Sequence, residues 1–301
     1  MTLSEYLNDW LELFVENRLA YHTYICYRQA IRDIPEHLIC QDLSALDGMA
    51  IQRALNLKAR KYPRAAQLMY ATLSVALKQA VRLHYIQFSP LDGCMMPKHE
   101  PKRAQVFTPN ELRRYLAQAF HETAYPILLL MATLGLRRSE ALGLRITDID
   151  FTKRQITIQR QRLLGPTGYT EAPLKSAASY RVLPLAPGIA DALNAWWREQ
   201  QVRPIAGAWL CDISPSALQR AHIRAILAAG LPRITMHGLR HTCATIMAAE
   251  GVPMKVLQTI LGHSTYQLTA DLYAAHIEPR AFDDAMIAVS RFACDMREFG
   301  T

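Results

Sequence analysis

The sequence has no pair of cysteines close enough to hold zinc or to act as a redox couple. Its six cysteines, Cys26, Cys40, Cys94, Cys211, Cys243 and Cys294, all stand more than four residues apart. That spacing excludes CxxC metal and thiol–disulfide motifs, and scattered single cysteines fit a reducing compartment better than a stapled secreted fold. A basic leader followed by an apolar core is not seen, since the sequence opens MTLSEYLNDW with acidic residues early, so no secretory signal is expected. The most apolar run, from Ile127 to Leu136, is too short to span a bilayer and ends in Arg137-Arg138. Internal repeats and low-complexity tracts are absent. Charged residues make up only 20% of the 301, whereas half are hydrophobic, enough for two cores and against long disorder. The expectation is a soluble, cytoplasmic protein without membrane association.

What charge there is leans one way. The formal net charge is +8, which favours an anionic partner such as nucleic acid.

The first hundred residues read as helices. Thr2-Leu3-Ser4-Glu5 has the form of a capping box, in which a hydroxyl and a carboxylate satisfy free amide donors. Leu7, Trp10, Leu11 and Phe14 then recur at the spacing of one helix face. Further helices are predicted over about 22–34, 46–57 and 64–84. The stretch 86–107 holds Pro90, Pro97 and Pro101 with Gly93, and reads as a linker. A second domain, 108–301, opens at the capping box Thr108-Pro109-Asn110-Glu111. Its helices give way to alternating Gln155–Gln159 and Tyr180–Leu183, with the loop Gly165-Pro166-Thr167-Gly168 between them. This pattern predicts a small antiparallel sheet in a mainly α protein.

Three segments carry chemistry: Gly135-Leu136-Arg137-Arg138-Ser139-Glu140, His237-Gly238-Leu239-Arg240-His241, and Leu261-Gly262-His263 followed ten residues later by Tyr273. Singly, each has a plain reading as a surface arginine, a helix-end histidine or a packed tyrosine. The spacing of His237 and His241 suits a zinc pair, but Gly238 stands where a metalloprotease keeps its glutamate and the cationic Arg240 lies between the two histidines. No metal or other cofactor is expected.

Taken together, in order, and with Lys175 in "PLKSAASYRVLPL", the segments resemble the tyrosine recombinase (phage integrase) family. The resemblance is strong over about residues 108–276. It implies a helical core-binding domain at 1–85 and an α-rich catalytic domain at 108–301 with a small antiparallel β-sheet. It implies site-specific cleavage and rejoining of duplex DNA through a 3′-phosphotyrosine, with Tyr273 as nucleophile. Arg137 and Arg240 are then the phosphate clamp, His237 the base, Lys175 the general acid and His263 a donor to the phosphate. Glu140 and His241 orient these groups. Tyr266 is the rival nucleophile, and Lys153 and Arg154 are the poorer alternatives to Lys175.

The residue types suit that chemistry in their own right. Guanidinium groups bind phosphate oxygens through a planar, permanently charged fork. A phenol of pKa near 10 costs about 4 kcal/mol to ionise at neutral pH, so it needs a base and a cationic pocket. Lys58, Arg60, Lys61 and Arg64 cluster before the long fourth helix and read as phosphate contacts at a helix start. Lys98, Lys102 and Arg103 are placed to follow the DNA backbone. Beyond Tyr273, the apolar residues Phe282, Met286, Ile287, Val289 and Phe292 read as a terminal helix. By resemblance it docks on a neighbouring subunit, implying a homotetramer on paired sites and leaving room for an accessory directionality protein. A helical transcription regulator and a type IB topoisomerase are the competing readings; element integrase, dimer resolvase and inverter stay open as subclasses.

Overall fold

The computed structural model describes residues 1–16, 18–98, 104–176, 179–200 and 208–262. The chain divides into two compact units, one made of Met1–Arg103 with Leu164–Gly168, the other of the remaining residues from Ala104 onward.

The first unit is helical. α1 (Leu3–Trp10) starts at the predicted capping box: the Glu5 amide donates to Thr2 Oγ1 at 3.2 Å and the Thr2 amide to Glu5 Oε2 at 2.7 Å. A wide π-helical turn, Leu11–Glu16, follows. The extra residue in that turn shifts the face, so Val15 takes the buried position expected for Phe14. Next come α2 (Tyr21–Arg32), the single turn α3 (Glu36–Ile39), α4 (Gly48–Lys61) and α5 (Pro63–Arg82). Asp47 caps α4 by accepting from the Met49 and Ala50 amides. Leu7, Trp10, Leu55, Leu73 and Leu77 meet in the core, and Tyr6 donates to the Ala76 carbonyl at 2.6 Å. Residues 86–98 of the proline-rich stretch lie along this unit, with Leu91 in its core and the Met95 amide donating to Gln52 Oε1 at 2.7 Å.

Lys58, Arg60 and Lys61 occupy the last turn of α4 rather than a helix start; only Arg64 stands at the beginning of α5. Cations at a helix C-terminus complement its dipole, and that end offers no free amides to a phosphate. Lys58 also pairs with Asp33 at 3.1 Å.

The second unit is built around α7 (Tyr125–Leu134), which is buried on every side except at Thr133. A helix apolar all round must be central, which is where the apolar run of the sequence belongs. Packed about it are α6 (Pro109–Ala119), α9 (Pro187–Glu199), α11 (Met236–Ala249) and the short α8 (Arg138–Leu142), with α10 (Pro215–Ala228) against α6 and α12 (Met254–Leu261) against α11. The predicted capping box at Thr108 and Glu111 is present.

Among the described residues, five strands accompany the helices. β1 (Ile149–Asp150), β2 (Gln155–Ile158) and β5 (Arg181–Pro184) form an antiparallel sheet, with Ile156 opposite Leu183. β3 (Arg160–Gly165) and β4 (Gly168–Pro173) form a separate hairpin. The Gly165–Gly168 turn therefore closes β3 onto β4, whereas the two strands read from the sequence pair across the base of that hairpin. None of the residues of β3 and β4 is fully buried, so no alternation marked them as strands.

His222 ties α6 and α10 to the segment entering α11. Its Nε2 faces the Ile234 carbonyl at 3.1 Å and so carries the proton; its Nδ1 then accepts from the Tyr115 hydroxyl at 2.8 Å. Burial lowers its pKa to about 4 against the Ile234 bond, which opposes the shift. The unfolded chain, with an ordinary histidine near 6.5, binds that proton first. The stability due to neutral His222 is thus complete above pH 6.5 and is lost as pH falls toward 4. Unfolding free energy in urea is expected to drop by about 1.4 kcal/mol per pH unit in that window for this group alone. A flat profile between pH 6.5 and 4.5 would contradict it.

Candidate active site

Three guanidinium groups converge on the C-terminal end of α12. Arg181 Nε donates to the Ile260 carbonyl, Arg240 NH2 to the Leu261 carbonyl and Arg137 NH2 to the Gly262 carbonyl, each at 2.7 Å. The last carbonyls of a helix lack intrahelical partners and carry the negative end of its dipole, so they suit cations.

Each arginine arrives on a different element. Arg137 caps α8 and follows the left-handed turn that ends α7. That turn needs glycine twice over: Gly135 has φ +63, and a Cβ there would meet Leu261 Cδ2 at 2.6 Å. The carbonyl of Gly135 accepts from Arg240 NH1 at 2.7 Å. Arg240 itself lies on α11 and is 2% exposed. Burial first, and the charge of Arg137 second, lower its pKa to about 9, so it stays cationic at neutral pH.

Glu140 is the anionic hub. Its Oε1 accepts from Arg137 NH1 at 2.6 Å; its Oε2 accepts from Arg181 NH2 at 2.9 Å and from the Arg137 amide at 3.0 Å. Burial alone would raise the carboxyl pKa. The charge and hydrogen bond of Arg181, then the bonds from Arg137, outweigh it and hold the pKa below the usual value.

His237 and His241 stand one turn apart on α11 with rings edge to face, centroids 4.5 Å apart. The His237 ring keeps contact with solvent. Desolvation by the protein around it, then the charges of His241, Arg240 and Arg137, push its pKa down to about 4. It is therefore neutral at pH 7 and able to accept a proton.

Lys175 is exposed just beyond β4 and makes no ion pair among the described residues. The neighbouring strand β4 is tied to α8 by Gln161, which donates to the Pro173 carbonyl at 2.7 Å and accepts from Ser139 at 3.1 Å. Lys98 is exposed in the first unit. His263, Tyr273, Tyr266, Lys102 and Arg103 lie outside the described residues.

Sequence reasoning missed Arg181 and Gln161. Gln161 left no signal. Arg181 did: it stands in phase with Leu183 and Leu185 on the core side of β5, where a charge needs a partner.

Buried Arg240 and half-buried Arg137 meet at one helix end, and their charge suits an anion such as a phosphodiester. Comparison with known proteins agrees. The phage integrase family model matches residues 105–279, and the chain belongs to that family, the tyrosine recombinases. It is 25% identical to the tyrosine recombinase XerC-like protein of Caldanaerobacter subterraneus, over 95% of this chain and 82% of that one. It is 24% identical to a tyrosine recombinase of Pseudothermotoga lettingae, over 88% and 91% of the two chains. Among solved structures, the Tn1549 transposon integrase in complex with a circular intermediate DNA superposes with TM-score 0.79 at 20% identity, covering 97% of this chain and 99% of that one. A lambda integrase dimer bound to a COC′ core site gives TM-score 0.71 at 19% identity, covering 91% and 77%. Among the described residues, no helix is long and apolar enough to cross a membrane.

Proposed function

We propose that this recombinase cuts duplex DNA at a defined site and rejoins it to a new partner, using Arg137 and Arg240 as the phosphate clamp and Tyr273 as nucleophile. The observation that carries this reading is the convergence of both arginines on the turn that precedes His263. Attack by the Tyr273 oxygen on phosphorus forms a 3′-phosphotyrosyl ester and breaks the bond to the 5′ oxygen. The phenolic proton passes to His237, whose basicity rises when an anionic phosphate offsets its cationic neighbours. Lys175 protonates the departing 5′ oxygen, and His263 donates to a non-bridging oxygen. Attack by another strand's 5′ hydroxyl reverses the step, so the phosphotyrosine conserves the bond energy and no nucleotide cofactor is needed.

Residues 1–85, with Lys98, Lys102 and Arg103, contact the backbone of the duplex, joined by 86–107 to the catalytic domain 108–301. The integrases of similar fold are described in complex with DNA, one as a dimer on a core site and one as a tetramer on a Holliday junction. The same assembly, a homotetramer on paired sites, suits this chain's apolar C-terminal sequence.

The test is chemical. The purified protein is incubated with supercoiled DNA carrying the flanks of its own gene, and the scissile phosphate is mapped on denaturing gels. Lys175→Ala is expected to slow cleavage there by about 10²- to 10⁴-fold. On a duplex with sulfur in place of the 5′ bridging oxygen, a leaving group that needs no proton, most of that loss is recovered. Cleavage by Lys175→Ala that is equally poor on both duplexes removes Lys175 from the acid role. Stable binding with no cleavage by the parent protein favours a regulator.

A further inference from the structure

The reaction above makes no use of the buried charge of Arg181. Arg181 is 5% exposed, on a strand whose inward neighbours are leucines. Its three nitrogens all have partners: Nε on the Ile260 carbonyl at 2.7 Å, NH1 on the Ser179 carbonyl at 2.9 Å and NH2 on Glu140 at 2.9 Å. It therefore joins three elements, β5, α8 and the end of α12, through every nitrogen of its guanidinium.

A buried ion pair is a weak source of stability, because desolvating both charges offsets most of their attraction, and apolar replacements often do as well. Packing alone thus gives no reason for a guanidinium in a leucine-lined register. The bonds suggest what it does instead. Glu140 grips Arg137 through one oxygen and is itself gripped by Arg181 through the other. Arg181 also fixes the first of three successive carbonyls whose second and third hold Arg240 and Arg137. Freeing Arg181 loosens both ends of the frame that aims the two arginines.

We propose that Arg181 is a positioning residue, locking Glu140 and the α12 terminus so that Arg137 and Arg240 point at a single phosphate. This inference rests on the reading of Arg137 and Arg240 as the clamp, and its test separates the two ideas.

Arg181→Met keeps side-chain length and removes the charge. Single-turnover cleavage is measured on a duplex spanning the mapped scissile phosphate, once as the ordinary diester and once as a methylphosphonate. The methyl group removes the non-bridging charge that a clamp would neutralise. Arg181→Met is expected to slow cleavage of the diester about 10²-fold, the usual result of a small misalignment, but of the methylphosphonate less than about 10-fold, with duplex affinity changed little. Equal losses on the two duplexes assign Arg181 to the fold alone and overturn the proposal, as does full activity on the diester. If Arg181→Met does not fold, the double variant E140Q/R181M, which strands no buried charge, carries the same comparison. Arg137→Ala runs beside it: equal losses there on both duplexes overturn the clamp reading itself, whatever Arg181→Met shows.

Discussion

Replacing Arg240 with alanine is expected to slow DNA strand cleavage by about 10³-fold, the range seen when a preorganised charged donor is lost from a reacting phosphate or oxyanion. The reason lies in where the group sits. Its guanidinium is 2% exposed and anchored by bonds to the carbonyls of Gly135 and Leu261. Five N–H donors point from a guanidinium, so the two bonds leave three for a phosphate. In a desolvated pocket each is stronger than in water. Arg240→Lys restores the charge but cannot span both carbonyls and still present a fork, so it should recover little. The same change also leaves two buried carbonyls without a donor, at about 1–3 kcal/mol each. A fall in melting temperature is therefore expected as well, and rates are compared well below it. Wild-type cleavage in a folded Arg240→Ala protein would remove Arg240 from the chemistry.

The arginines and histidines of the candidate site were legible in the sequence because the chemistry expected of it fixes their type. A phosphate clamp calls for arginine, and Gly135-Leu136-Arg137 and His237 to His241 carried that requirement in the open. Helix starts were legible for a similar reason, since the boxes at Thr2 and Thr108 are local hydrogen-bond solutions that need no tertiary context. Other features depended on the whole fold. The hairpin of β3 and β4 has no buried face, so no alternation announced it. The basic cluster at Lys58 to Lys61 was assigned to a helix start because nothing in the sequence marks α4 as continuing to Lys61. Arg181 was visible as a residue but not as a partner of Glu140, forty-one positions away, because the pairing exists only once β5 packs beside α8.

In the proposed reaction a tyrosine, Tyr273, becomes covalently joined to DNA. The most direct measurement mixes the protein with the supercoiled DNA described above, quenches with SDS and looks for a DNA–protein adduct, with Tyr273→Phe and Tyr266→Phe in parallel. The phenyl ring of Tyr273→Phe keeps its packing but has no oxygen with which to attack phosphorus. The expected result is an adduct from the parent protein and from Tyr266→Phe, and none from Tyr273→Phe, with DNA affinity unchanged in all three. An adduct that persists in Tyr273→Phe and disappears in Tyr266→Phe would contradict the assignment and move the nucleophile to Tyr266.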